Sequence, residues 1–235
     1  MKSIAIITAR GGSKRIPKKN IKIFCGKPII AYSIEAAISS GLFDEIMVST
    51  DSHEIAEIAK QYGAKIPFLR SEQTSHDFAT TSDVLEEVIC QYKKMGKEFD
   101  TVCCIYPTAV FVTGEKLKKA MNIFETKKAS CVTPVVKFSF PPQRAFIIRN
   151  EQLAFQFPQY AKTRSQDLEP IYHDCGQFYI LKTKDLMEQH TIAPLNTYPF
   201  ILEETEVQDI DNPSDWEIAE EKYKTLCKNN GNTRD

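Results

Sequence analysis

Between residues 4 and 136, short contiguous apolar runs alternate with longer stretches whose apolar residues recur at helical spacing. No other feature of the 235-residue chain limits its fold as tightly. Contiguous β-branched runs suit strands buried on both faces, and the amphipathic stretches between them suit crossover helices. The pattern predicts strands over residues 4–8, 45–50, 65–69, 100–106 and 130–136. It predicts helices over 28–40, from Ser52 to Gly63, from Thr81 or Ser82 to Gly96, and from Thr113. The fold class that follows is α/β: a Rossmann-like, mainly parallel sheet with helices on both faces. The order breaks over residues 138–172, which are rich in Pro, Gln, Arg and aromatics. It resumes with a strand at 178–181, a short helix at 183–190, a strand-like run at 198–207 and a last helix opened by Asn212-Pro213. One domain over 1–228, with a polar tail at 229–235 expected to fray, accounts for the length.

The formal net charge of −1 conceals an uneven distribution. Residues 1–30 hold eight basic side chains and no acidic one, leaving 22 basic against 31 acidic in the remainder. A basic head on an acidic body points to a small anionic ligand rather than to a nucleic acid. Phe24 is the only aromatic in that head, which also argues against base stacking on single strands. No apolar run approaches the ~20 residues of a membrane helix. The seven cysteines are odd in number and lack C-x-x-C spacing, so reduced thiols and a cytoplasmic location are expected.

Within the head, residues 9–20 read A-R-G-G-S-K-R-I-P-K-K-N and follow the first strand. Ligands of open parallel sheets bind beyond the carboxyl ends of the strands. Gly11 and Gly12 leave the backbone free to aim N–H groups at an anion, and Arg10, Lys14 and Lys19 add cationic charge. A triphosphate fits that combination. Neither G-x-x-x-x-G-K-[ST] nor G-x-G-x-x-G is present, so P-loop and dinucleotide readings are weak. The bland alternative is a solvated basic loop.

This string, continued by Cys25-Gly26-Lys27-Pro28-Ile29-Ile30, resembles the signature of the CMP–sialic acid synthetases, the acylneuraminate cytidylyltransferases. Residues 138–144 (F-S-F-P-P-Q-R) and 172–179 (Y-H-D-C-G-Q-F-Y) resemble most the branch of that family acting on pseudaminic acid. The resemblance implies a nucleotidyltransferase fold. It implies transfer of CMP from CTP to a nine-carbon keto-sugar acid with release of pyrophosphate, for bacterial surface or flagellar glycans. It also implies Arg10, Gly11, Ser13, Lys14, Lys19 and Asn20 as nucleotide ligands, Arg10 and Lys19 as catalytic cations, and Arg70 and Ser82 as cytidine contacts. By residue type alone, Thr81 and Ser82 are equally ordinary helix caps.

Asp209 and Asp211 share one side of an extended segment, and two carboxylates beside a triphosphate suit Mg²⁺. Read without the family, Asp211 is equally the start of a turn before Asn212-Pro213. The family pattern also places metal-binding acids here. For the sugar, the candidates are Tyr106, Thr108, Gln143, Arg144, Arg164, His173 and Gln177, with arginine forks matching a carboxylate. Tyr106 stands where many sialic acid enzymes of this kind carry Gln, which favours a differently decorated sugar over N-acetylneuraminate. The same chemistry on N-acetylneuraminate, legionaminate or 3-deoxy-octulosonate is the nearer alternative, and a non-catalytic nucleotide sensor the more distant one. Residues 138–172 match the insert through which such enzymes form homodimers; the bland alternative is a surface lid.

Overall fold

A computed structural model describes residues 1–231. In chain order the elements are β1 (Ser3–Thr8), β2 (Ile23–Phe24), β3 (Lys27–Pro28), α1 (Ile29–Ser40), β4 (Glu45–Ser49), α2 (His53–Gln61), α3 (Glu72–Ser75), α4 (Thr81–Lys94), β5 (Thr101–Ile105) and α5 (Gly114–Thr126). There follow β6 (Cys131–Lys137), β7 (Phe146–Arg149), β8 (Gln152–Phe155), β9 (Tyr172–Asp174), β10 (Phe178–Lys182), α6 (Thr183–Gln189), β11 (Thr197–Leu202) and α7 (Pro213–Gly231). The main sheet runs in the order β11-β6-β10-β5-β1-β4, with β9 paired to β6.

The alternation of β1 explains the layering. Ala5 and Ile7 face a core shared with α1 and α5, while Ile4 and Ile6 face the opposite layer with Leu85 and Val88 of α4. β1 is parallel to both neighbours, β4 and β5. The chain leaves β1 toward β4 on one side and later returns to β5 on the other. The crevice between the carboxyl ends of β1 and β5 is therefore a topological switch point.

Side-chain caps start α2, α4, α5 and α7. The Ser52 hydroxyl accepts from the Ile55 N–H, Thr113 from Lys116, and the Asn212 side chain from Asp215. α4 is capped by Thr80, one residue before the expected start, in a reciprocal box with Asp83. Gly114 sits where α5 crosses α1: a Cβ there would lie 2.7 Å from Ser39 Oγ and 2.8 Å from the Ser40 nitrogen. No larger residue fits without separating the two helices.

Two expectations are corrected. Residues 65–69 form no strand; only Lys65 bridges to Met47. Pro67 lacks the N–H a ladder needs, and the chain bends so that the Arg70 N–H reaches the Thr50 carbonyl at 2.8 Å. The last helix, α7, extends through Gly231, and 232–235, most of the tail expected at 229–235, lie outside the described residues. The 138–172 stretch is not wholly irregular, since β7 and β8 pair as a hairpin within it and β9 begins at its end. That excursion lets β10 re-enter antiparallel between β5 and β6.

Candidate active site

A cavity of about 650 Å³ opens at the switch point. Thr8 and Arg10 come to it from the end of β1, and Tyr106, Pro107 and Thr108 from the end of β5. Ser13, Lys14, Arg15, Lys19 and Asn20 form one wall, Arg70 with Thr74, His76, Asp77 and residues 79–81 another, and Asp209 and Asp211 a third. The basic loop and the acidic pair, nearly 200 residues apart in sequence, thus face one space.

The loop owes its shape to buried hydrogen bonds. Asn20 is buried, and its amide donates to the Arg10 carbonyl at 2.9 Å. Lys18 adopts a left-handed conformation (φ 52°) as the chain enters the single turn Lys19–Ile21. The Gly11 N–H donates to the Asp51 carboxylate at 2.7 Å, and a Cβ at Gly11 would stand 3.1 Å from that of Ser52. Gly11 therefore seats the loop against the cap of α2 and does not line the main cavity. Close approach, not an unusual backbone angle, calls for glycine at this position.

Each of the four loop cations that line the cavity already has an acidic partner. Arg10 donates to Asp77 at 2.7 Å, and Lys14 pairs with the other oxygen of the same carboxylate. Arg15 bonds Asp211 at 2.7 Å, and Lys19 lies 3.6 Å from Asp211 while donating to the Ile210 carbonyl at 2.6 Å. Hydrogen bonds from Lys14 and then Arg10 hold the Asp77 carboxyl below its ordinary pKa. Asp209 shows the reverse. Its tip reaches solvent through the cavity mouth, yet the walls remove enough water, with Asp211 adding repulsion, to raise its pKa. Among the described residues no basic side chain lies within ion-pair distance of Asp209. A crowded carboxylate beside a second one, with no cation of its own, fits a divalent ion better than it fits a structural salt bridge.

Arg70 is buried, with Nε on the Ser49 hydroxyl at 3.0 Å and Nη2 on the Ser49 carbonyl at 2.7 Å. Burial lowers its pKa. Ser82 is buried behind the cap, 2.9 Å from the Thr80 hydroxyl, and does not line the cavity. Thr81 does, 3.0 Å from the Tyr106 hydroxyl. Tyr106 in turn packs edge-on against Tyr179, whose hydroxyl donates to Asp174 at 2.6 Å.

A second cavity, about 390 Å³, is lined by Lys137, Phe138, His173, Asp174, Gln208 and Lys222 among others. Asp209 belongs to both cavities. Of the seven residues expected around a sugar, Tyr106 and Thr108 line the first cavity and His173 the second. The other four open onto neither. Gln143 is buried and donates to the Glu169 carbonyl, and Gln177 is buried and donates to the Glu206 carbonyl. Arg144 reaches Ser165, and Arg164 is paired with Asp167. An amide or a guanidinium in a loop reads as a ligand donor until its backbone partner is known. Asp77, Lys137 and Lys222 escaped notice because single charges in loops carry no motif.

The family model for cytidylyltransferases matches residues 4–230. The chain belongs to that family. This cytidylyltransferase is 41% identical to the pseudaminic acid cytidylyltransferase of Campylobacter jejuni serotype O:2, over 95% of this chain and 97% of that one. It is 37% identical to the CMP-N,N'-diacetyllegionaminic acid synthase of Legionella pneumophila, over 94% and 95% of the two chains. The N-acylneuraminate cytidylyltransferase of Escherichia coli O18:K1:H7 is 31% identical over 93% of this chain and 51% of that one. In fold it matches a solved CMP:2-keto-3-deoxy-manno-octonic acid synthetase complexed with CTP, with a TM-score of 0.72, 17% identity and coverage of 96% of this chain and 100% of that one. The sheet with helices on both faces expected from the sequence is thereby the nucleotidyltransferase fold. No described helix is long and apolar enough to cross a membrane.

Proposed function

We propose that this cytidylyltransferase joins CMP from CTP to pseudaminic acid and releases pyrophosphate, supplying an activated sugar for bacterial surface or flagellar glycans. One observation carries the reading: the cationic cavity and the second cavity meet at Asp209, so that a nucleotide in one has its phosphates beside an acceptor in the other. The identity gradient supports the sugar, falling from 41% for the pseudaminic acid enzyme to 37% and 31% for the two others.

The triphosphate lies along the 10–20 loop. Arg10, Lys14 and Lys19 face its oxygens, and Arg70 with the Thr81 hydroxyl bounds the cytidine end. The anomeric hydroxyl of the sugar attacks the α-phosphate and loses its proton as the new P–O bond forms. The bond to the β-phosphate breaks, and pyrophosphate leaves toward the loop. Cations fixed where charge develops are a large part of catalysis of this kind. Lys19 is the best held of them, only 21% exposed and anchored on the Ile210 carbonyl. Asp209 and Asp211 would hold Mg²⁺, which when bound offsets phosphate charge and polarises the P–O bond. Lys137 and Lys222, with His173 packed on Phe138 at 4.5 Å between ring centroids, offer the acceptor's carboxylate cations and a wall.

The working form is a cytoplasmic homodimer. The β7–β8 hairpin presents Phe146, Ile148 and Leu153 to solvent, an apolar face that a second copy would cover. Arg144 and Arg164, on the same arm and away from this subunit's cavities, would then be available to the partner's site.

The test is a panel of keto-sugar acids with CTP and Mg²⁺, read by pyrophosphate release. Pseudaminic acid should give the highest kcat/KM. Turnover confined to N-acetylneuraminate or legionaminate would replace the substrate, and turnover with none would return the chain to a nucleotide sensor.

A further inference from the structure

We infer that Asp77 is a built-in surrogate for the nucleotide's phosphates, a competing anion that holds Arg10 and Lys14 until a phosphate ligand displaces it. The inference rests on the reading that CTP binds in the larger cavity.

The Asp77 carboxylate occupies the position of an anion between Arg10 and Lys14. Oδ1 accepts from Arg10 Nη1 at 2.7 Å, and Oδ2 accepts from Lys14 Nζ. These are two of the three cations that the loop's sequence offers to a triphosphate, and both line the cavity beside Asp77. Without a counter-charge two such neighbours would repel each other.

The segment carrying Asp77 is suited to release. It is fixed at both ends: Ser71 N and Oγ and the Thr74 hydroxyl bond Glu87, and the Thr80 box with Asp83 closes the other end. Between these anchors residues 76–79 contribute nothing to the core, and the Phe78 ring is 90% exposed. Residues 76–79 thus have room to swing away without uncovering apolar surface.

Energetics sets the exchange. Ion pairs with solvent access are individually weak. A triphosphate offers Arg10 and Lys14 several oxygens and about four charges, and outcompetes one carboxylate. An uncharged nucleoside offers nothing in exchange and leaves Asp77 in place. The apparent affinity of a phosphate ligand is reduced by the fraction of molecules in which Asp77 is closed. As pyrophosphate departs, Asp77 re-forms its two bonds and re-covers the cations.

The experiment is titration calorimetry of CTP, inorganic pyrophosphate and cytidine into the full-length protein and Asp77→Asn, without divalent metal and at fixed ionic strength. Asn keeps the shape and removes the charge, and the exposed site makes misfolding of the variant immaterial to the core; Asp77→Ala serves as a second variant. Removing the competitor should tighten CTP and pyrophosphate by about tenfold and leave cytidine unchanged. Equal or weaker binding of CTP and pyrophosphate by both variants would overturn the inference and make Asp77 a residue that orients Arg10 and Lys14 for the phosphates. If CTP failed to bind the parent protein, the cytidylyltransferase site itself would be misplaced, and the pyrophosphate comparison would still decide the role of Asp77.

Discussion

The floor of the large cavity and the 138–172 arm are parts of one chain built on opposite terms. At the floor Asn20 and Arg70 are buried and hydrogen-bonded within the subunit, and Arg10, Lys14, Arg15 and Lys19 of the loop are each matched to an acid. On the arm, Phe140 is 86% exposed, Ile148 76% and Leu153 68%. Arg144 and Arg164 find only neighbours from the same arm. The floor takes its order from the sheet beneath it. The arm carries apolar surface that the subunit alone does not bury, and such surface marks a place for another molecule. Order at the floor is thus local to the subunit, whereas the arm leaves apolar surface uncovered.

The sharpest way to break this contrast is Lys19→Ala. Removing one preorganised cation should lower kcat by about 10²–10³-fold. The thermal midpoint should hold, because the chain around Lys19 is fixed by Asn20 and the turn rather than by the ammonium. Steady-state kinetics with a melting curve reads both, and a variant that merely unfolds would show the floor to be less self-sufficient than described. Next in size is the double change Ile148→Glu with Leu153→Glu. Two carboxylates on the hairpin should shift the mass by light scattering from dimer to monomer, while CTP still binds. Loss of CTP binding in the monomer would erase the distinction between floor and arm. The smallest effect is expected from Asp209→Asn in the metal-free protein. A carboxyl whose pKa is raised by folding binds its proton more tightly in the folded chain, so its contribution to stability falls as pH rises through the interval between the unfolded and folded values. At neutral pH the charged form is a liability that Asn removes. The melting midpoint at pH 7 should therefore rise slightly, and the gain should vanish below about pH 4. A lower midpoint at pH 7 would mean that the carboxylate has a structural partner.

Much of the floor was legible because it is local. The alternation of apolar runs, the caps at Ser52 and Thr113, and Asn212 before Pro213 each act over a few residues, and each is where the pattern put it. The cap of α4 was misplaced at Thr81 or Ser82, although Thr80 and Asp83 stand three apart as a capping box requires. What could not be read was set by distance. Asp77 meets Arg10 across 67 residues of sequence, and the buried amides of Gln143 and Gln177 meet backbone carbonyls 26 and 29 residues away. The antiparallel insertion of β10 depends on where a long excursion returns, which apolar content alone does not encode. Even the charge asymmetry between head and body reads differently once paired. Lys18 meets Glu54, Lys27 meets Glu35, and Lys22 lies 4.5 Å above the Trp216 ring.

That last contact belongs to a larger joint. Phe24 stacks edge-on against Tyr32, Trp216 and Tyr223, and these rings clamp α7 to the segment that follows the basic loop. Ile210, between the two acids, is buried in the same cluster. During synthesis, then, the first thirty residues leave the ribosome long before the part that orients them. A nascent chain that has not yet emitted residues 209–216 holds its basic loop without the acids and without their clamp. The loop and the acids meet only once α7 has been made and closes on the β2–β3 hairpin, and a chain cut upstream of α7 would leave the sheet without that joint.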